Sequence, residues 1–538
     1  MKILISRRTR FVLATTVATI AAQATSAVRI DAQQAVQPTK LVVSVIVDQL
    51  RDDLMDRYES AFTGGLRRLL DQGYRFTEAS HAHARTSTAP GHATLSTGVF
   101  PSRHGVVANS WQLRRGVRWE TMYAVGDPDS PILGFENEPL LEGRSPRTMI
   151  RDGLPDWFGE ADPDSRRVSI SRKDRAAIPM GGRNTEHVYW ILPELGRFIT
   201  STHYMSRYPR WLDRFNEWVM PGIMEPTVWD TEVPEAYRGL ARADSAAYEG
   251  DGVHTVFPHR SVDESPSDSP QQHNVWGMDR PPADIAVMAL AHTVIDELEL
   301  GQRDEVDYLA ISLSAMDRVG HQYAPLSQEV LSTLLTVDRL LGDFFEYLDE
   351  AVGVGAWIVG FSSDHGVVLA PEEAQAMGDT QAERISRDDM LVQLSNALND
   401  AVREGGSPRE LEIRLAAEVE RRGLVDRAYT HHDLTRGELP DSFATQYRNS
   451  YYPGRAWDDL SRFGVDVRYG EGDYVGFPTG TNHETPYWYD RHVPMIFLGS
   501  AIQSGVSHEP VYTVDFAPTL AALAGIPTPD DLDGRRIY

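Results

Sequence analysis

Short apolar, β-branched runs recur along the chain. LVVSVIVD (Leu41–Asp48), VSIS (Val168–Ser171), YLAISLSAMD (Tyr308–Asp317), AWIVGFSSDHG (Ala356–Gly366) and VPMIFLGS (Val493–Ser500) are the clearest. Runs of this length and composition predict strands buried on both faces. Between them the apolar spacing turns helical. Ala283–Leu298 is one such stretch. Ser327–Leu348 is another, where Val330, Leu331, Leu334, Leu335, Leu341, Phe344, Phe345 and Leu348 form one core-facing stripe. Val514–Pro527 is a third, with Asp515 expected as its N-cap and Gly525 as its stop. Strand-helix alternation on this scale predicts an α/β fold, a mostly parallel central sheet with helices on both faces.

Two regions break the alternation. Residues from about 195 to 282 are rich in aromatics and prolines, and residues from about 373 to 470 hold polar helical patterns. Both read as insertions over one sheet, within a single domain spanning 36–538. The first 27 residues read differently again. Lys2, Arg7, Arg8 and Arg10 precede an apolar stretch from Phe11 to Ala22 and then small residues. That order is expected of a secretory signal peptide cleaved near Ala24, Ala27 or Ala32. The apolar stretch is short for a membrane span, so the mature protein is expected to be exported, periplasmic or secreted, without a membrane segment.

Composition narrows the chemistry. Asp and Glu number 78 against 52 Lys and Arg, a formal charge of −26 over 538 residues. Such a surface attracts neither nucleic acid nor anionic lipid. With no cysteine, disulfides, thiolate catalysis and cysteine-ligated metal sites are excluded. Any transition metal must sit on His and Asp or Glu.

Those residue types gather where the predicted strands end. The first strand runs into Asp48, the Tyr308 strand into Asp317 and His321, and the Ala356 strand into Asp364 and His365. His483 precedes the Val493 strand. In an open parallel sheet, ligands bind beyond the carboxyl ends of the strands, so these six are expected at one edge. Mixed Asp and His suits zinc or a related divalent ion, and six ligands suit two ions. His292, His431 and His432 read as structural or surface residues, and His492 as at most a support for a ligand.

A hydroxyl cluster, RTSTAPGHATLSTG (Arg85–Gly98), follows the first strand and helix. Its Ser and Thr residues read either as helix caps or as a source of one nucleophile. Thr is a poor nucleophile at its ordinary pKa, but a cation and a helix N-terminus both favour its alkoxide. A hydroxyl beside two cations suits phosphoryl transfer, one ion for the attacking oxygen and one for the departing oxygen.

These motifs, with SISRKDRAAIPMGG, GRFITSTHYMSRYPRWLDRFN and TNHETPYWYDRHVPMIFLG in order between KLVVSVIVDQLRDDLMDRY and YTVDFAPTLAALAGIPTPDDLDGRRIY, resemble the alkaline phosphatase superfamily. Within it the chain is most similar to the phosphate-irrepressible (PafA-type) alkaline phosphatases. The resemblance implies Thr88 as nucleophile, with Thr86 its nearest rival and a possible helix cap. It implies one Zn2+ site of Asp48, Asp364, His365 and the Thr88 oxygen, and a second of Asp317, His321 and His483. Asn109, Lys173 and Arg175 are then expected on the oxygens of the transferred group. The implied activity is hydrolysis of small phosphate monoesters through a phosphothreonine. A nucleotide pyrophosphatase/phosphodiesterase of the same superfamily and a non-catalytic metal- or phosphate-binding protein are the alternatives. Sulfatase chemistry, which needs a Cys or Ser converted to formylglycine, does not fit Thr88. Pro90, Arg318, Asn482, Glu484 and Arg85 depart from the family pattern without removing a ligand.

Overall fold

Along the first strand, Leu41, Val43, Val45 and Val47 enter one apolar cluster while Val42 and Ile46 enter another. Alternation of this kind within an all-apolar run means that both faces of the strand are covered. The structure, a computed structural model, describes residues 37–138, 140–437 and 439–538. The signal-peptide reading of residues 1–27 lies outside them. Residues 37–538 form one compact unit.

The central sheet has nine strands. In chain order they are β1 (Leu41–Val47), β2 (Tyr74–Phe76), β3 (Arg167–Ser171), β4 (His187–Leu192), β5 (Arg197–Ile199), β6 (Asp307–Leu313), β7 (Trp357–Ser362), β8 (Met495–Gly499) and β9 (Gly505–Ser507). Their spatial order is β9-β2-β8-β7-β1-β6-β3-β4-β5. The central five, from β7 to β4, are parallel. Two strands run against them: β8 against both β7 and β2, and β5 against β4. The sheet is therefore mixed but mostly parallel, as the alternation of elements predicts.

Helices Pro282–Glu297 and Gln328–Leu348 cover one face. Helices Leu154–Ala161 and Phe516–Ala524 cover the other. Ser327 caps its helix by accepting from the Val330 N–H. Asp515 does not cap the Phe516 helix. It sits in a preceding helical turn, and its carboxylate accepts from the Tyr512 and Arg535 N–H groups instead. Gly525, left-handed at φ 72°, ends that helix as expected.

The two irregular regions pack differently. Trp211, Leu212, Phe215, Met220 and Trp276 of the first join the main core. The second builds a cluster of its own from Met390, Leu394, Leu415, Val419, Leu424 and Val465. It is tied back through Arg455–Ala456, which pairs with the hairpin of Ser110–Arg115 and Arg118–Tyr123. Arg455 also donates to the Gly105 and Thr148 carbonyls and lies over the Trp111 ring. Among the described residues no helix is long and apolar enough to cross a membrane.

Candidate active site

Four segments deliver the candidate ligands to one edge of the sheet. Asp48 follows β1 directly, and Asp364 and His365 follow β7. The run Tyr308–Asp317 predicts a strand up to Asp317, but Asp317, like His321, lies beyond β6. The strand stops at Leu313, and both lie in helix Ala315–Tyr323. Their spacing of four residues puts them on one helix face. His483 precedes β8, and because β8 is antiparallel, its start lies at the edge where β1 and β7 finish.

Two clusters result, Asp48–Asp364–His365 and Asp317–His365–His483, with potential ligand atoms of each within 4.8 Å of one another. His365 faces both. His321 reaches the second through its Nε2, 3.1 Å from Asp317 Oδ1. The His365 and His483 rings stack at 3.6 Å, and His321 lies 5.1 Å from His483. Each ring spends its Nδ1 on a backbone carbonyl: His365 on Gly366, His321 on Thr481 and His483 on Thr86. Metal-ligating histidines are held in this way, with Nε2 left for the ion. Asp48 Oδ1 and His365 Nε2 are buried without a hydrogen bond. Burying such groups unsatisfied is costly, and a divalent cation satisfies both. The residues present therefore fit a metal pair.

Charge in the site agrees. Burial, then His365 and His321, push His483 well below the ordinary imidazole pKa, and burial lowers His365 as well. Both shifts favour the neutral ring, the form that can offer a lone pair. Burial raises the Asp48 carboxyl, helped by repulsion from Asp317 and Asp364. Burial also works against ionised Asp317, but Lys173 and His321 outweigh it and hold that carboxyl low. Lys173 is the buried counter-charge. Its ammonium bridges Asp48 Oδ2 and Asp317 Oδ2 and lies 3.5 Å from Thr88 Oγ1.

Thr88 opens helix Thr88–Thr97. The first four N–H groups of a helix have no partner within it. Pro90 loses nothing by lacking one, and the Ala89 N–H donates to Asn109 Oδ1 at 2.9 Å. That bond fixes the amide of Asn109 beside Thr88 and leaves its Nδ2 donors available. Gly91 is required here: a Cβ would lie 2.2 Å from the Asp364 carbonyl oxygen. Thr86 does not cap the helix. Its hydroxyl donates to the Thr485 carbonyl at 3.0 Å. Arg175 makes no carboxylate ion pair among the described residues, and its Nε–H is buried without an acceptor.

Arg318 makes a two-pronged pair with Asp279, from the first of the two irregular regions. His292 stacks on Tyr347, and His431 bonds Asp466. His492 donates to or accepts from none of the ligands; its Nε2 meets the Thr77 carbonyl and lies 3.6 Å from Asp52.

Two site residues escape sequence reasoning. His92, one turn after Thr88, places Nδ1 2.8 Å from the Thr88 carbonyl and 3.2 Å from Asp364 Oδ2, with Nε2 on Ser312. Gln49 joins the clusters: its N–H donates to Asp364 Oδ1 and its Nε2 to Asp317 Oδ1, at 3.1 and 2.9 Å. It does so at φ 68°, a left-handed conformation that costs a non-glycine residue energy. Adjacency to Asp48 was the only signal. Loss of such outer partners typically weakens metal binding about 10–100-fold. Gln49→Ala is expected to fall in that range in metal retention against a competing chelator, with the fold intact by circular dichroism. Unchanged retention would show that the amide does not orient Asp317.

A family model for type I phosphodiesterase / nucleotide pyrophosphatase matches residues 42–456. The chain belongs to that family, within the alkaline phosphatase superfamily. Among its relatives, it is 28% identical to alkaline phosphatase PafA of Elizabethkingia meningoseptica, over 94% of both chains. It is 29% identical to alkaline phosphatase PhoV of Synechococcus elongatus, over 94% of this chain and 93% of that one. The crystal structure of wild-type PafA superposes with a TM-score of 0.83 at 26% identity, covering 94% of this chain and 99% of that chain. The resemblance read from the motifs is borne out at the level of family and fold.

Proposed function

We propose that the protein is an exported phosphomonoesterase that works through a covalent phosphothreonine on Thr88. The observation that carries this reading is Thr88 Oγ1 itself. It sits at the start of a helix, 3.5 Å from the Lys173 ammonium, beside two ligand clusters with unsatisfied atoms. Asp48, Asp364, His365 and Thr88 would hold one divalent ion, and Asp317, His321 and His483 the other; the donor set suits Zn2+. Such ions, when bound, acidify a hydroxyl or water and stabilise charge on oxygen.

Thr88 Oγ attacks phosphorus in line. The Oγ–P bond forms as the P–O bond to the organic group breaks, and the leaving oxygen takes up a proton. Water then attacks phosphorus in line from the side the leaving group vacated, opposite Thr88 Oγ; its O–P bond forms as the Oγ–P bond breaks, phosphate leaves and Thr88 Oγ takes up a proton. Asn109 Nδ2, Lys173 and Arg175 hold the non-bridging oxygens. Arg offers paired planar donors, Lys a point charge. Cations held by Asp48 and Asp317 would take over these carboxylates from the Lys173 ammonium, which bridges them here, and would leave it for the phosphoryl oxygens. A monoester carries one more anionic oxygen than a diester, and this cationic pair suits it. The names of the relatives matched over most of their length support the same choice. The leader-like first 27 residues support export.

The test is kcat/KM for an aryl phosphate monoester and the matching diester, with bound metal counted in the same preparation. Two ions per chain and faster monoester hydrolysis are expected. Faster diester hydrolysis would establish the phosphodiesterase alternative. Bound metal without turnover on either would establish a binding protein.

A further inference from the structure

Three segments of the chain meet at one buried carboxylate. Asp279 closes helix Pro270–Met278, stands just before helix Pro282–Glu297 and is 8% exposed. Arg172 donates to Asp279 Oδ1 through one terminal nitrogen, and its Nε–H donates to the neighbouring Met278 carbonyl at 2.6 Å. Arg318 approaches with both prongs, Nε 3.0 Å from Asp279 Oδ1 and Nη2 2.8 Å from Oδ2. Burial alone would raise the Asp279 carboxyl, but Arg172 and then Arg318 outweigh it and hold it below its ordinary value.

Each arginine stands next to a residue of the candidate active site. Arg172 precedes Lys173 in the segment after β3, and Arg318 follows Asp317 in helix Ala315–Tyr323. The same part of the chain holds that helix a second time, because Asp284 accepts from the Ser314 and Ala315 N–H groups at 2.8 and 3.1 Å. Lys173 and Asp317 also touch directly, ammonium to carboxylate. On the monoesterase reading that contact is given up when Lys173 turns to the phosphoryl oxygens, whereas the bridge through Asp279 does not depend on it. A buried ion triad contributes little net stability. A two-pronged guanidinium–carboxylate pair, however, is specific in its geometry.

We propose that Asp279 is a positioning residue. Through Arg172 and Arg318 it sets the separation between Lys173, which grips the transferred group, and Asp317, a ligand of the cluster that meets the leaving oxygen. The inference rests on the monoesterase reading, in which those two residues serve one phosphoryl group. Their spacing matters to the rate, since a misplacement of about 1 Å can cost about a hundredfold.

Two variants break the bridge. Asp279→Asn keeps the shape and removes the charge. Arg318→Ala leaves Asp279 paired with Arg172 and removes a side chain that is 35% exposed, so folding is not endangered. The experiment measures kcat/KM on an aryl monoester and the matching diester for both, for Lys173→Ala and for Asp279→Asn/Lys173→Ala, with bound metal counted in each preparation. Each bridge variant is expected to lose roughly tenfold to a hundredfold on the monoester and several-fold less on the diester, with its metal count equal to that of wild type. Lys173→Ala should cost about a hundredfold in the wild-type background but less than about tenfold beside Asp279→Asn, because a lysine already out of place has less to lose. A purely structural contribution lowers the folded fraction, so it would fall equally on both substrates and multiply with Lys173→Ala. Either of those results overturns the positioning role, as does an unchanged rate or the loss of an ion from the bridge variants. A wild type faster on the diester, or inactive on both, overturns the monoesterase reading instead, and this inference with it.

Discussion

Thr88→Ala is expected to reduce kcat by at least about a thousandfold, the scale on which removal of an activated nucleophile acts. No covalent phosphoenzyme should be trapped by rapid acid quench and mass analysis. Metal should be largely retained, because Asp48, Asp364 and His365 still form one cluster and Asp317, His365 and His483 the other. Thr86→Ala is the matched control. Thr86 gives its hydroxyl to the Thr485 carbonyl, a bond with a net value of about 0.5–1.5 kcal/mol. The backbone carbonyl that holds His483 survives the substitution. Turnover of that variant should therefore stay within roughly tenfold of wild type. A dead Thr86→Ala enzyme beside an active Thr88→Ala enzyme would reverse the assignment of the nucleophile.

Arg175→Ala and Lys173→Ala are expected to slow monoester hydrolysis selectively. Donors aimed at a transferring group contribute about 3 kcal/mol each when removed singly, so each loss should cost about a hundredfold in kcat/KM. The double variant should cost more but not the product of the two, since both groups grip one phosphoryl. The matching diester presents less charge and should fall far less. Arg175 is the cleaner probe, because among the described residues it forms no ion pair with a carboxylate that its loss would strand. Lys173 also bridges Asp48 and Asp317, so its removal strips the counter-charge from two buried carboxylates. Metal content must be measured alongside the rates for that variant. An equal loss on monoester and diester would make the pair structural.

The elements and most of the candidate ligand set were legible in the chain itself. A strand covered on both faces must be apolar throughout, so β1, β3, β6, β7 and β8 announce themselves as short β-branched runs. A helix against that sheet must repeat its apolar residues every three or four positions, as Gln328–Leu348 does. The chemistry then shows as acidic and histidine residues where apolar runs stop. Thr88, Asn109, Lys173 and Arg175 were reached through the resemblance, since an isolated Thr, Asn, Lys or Arg carries no period that marks it.

Other features existed only once the chain had closed. The direction of β8 is invisible in VPMIFLGS, because an apolar run reads the same either way, yet that direction brings His483 to the edge where Asp48, Asp364 and His365 lie. The helical placement of Asp317 and His321 was hidden by a run that stays apolar past the last strand residue. Gln49 and His92 act through contacts 268 and 220 residues away in sequence, on Asp317 and Ser312. A cleft lined by Trp457, Tyr469, Tyr474 and Phe477 joins residues 84–85 to residues 387–486. Local sequence sets what each segment can become, through side-chain shape and the period of burial. Which side chains share a charge, a metal or a cavity is set by long-range packing, and no local pattern encodes it.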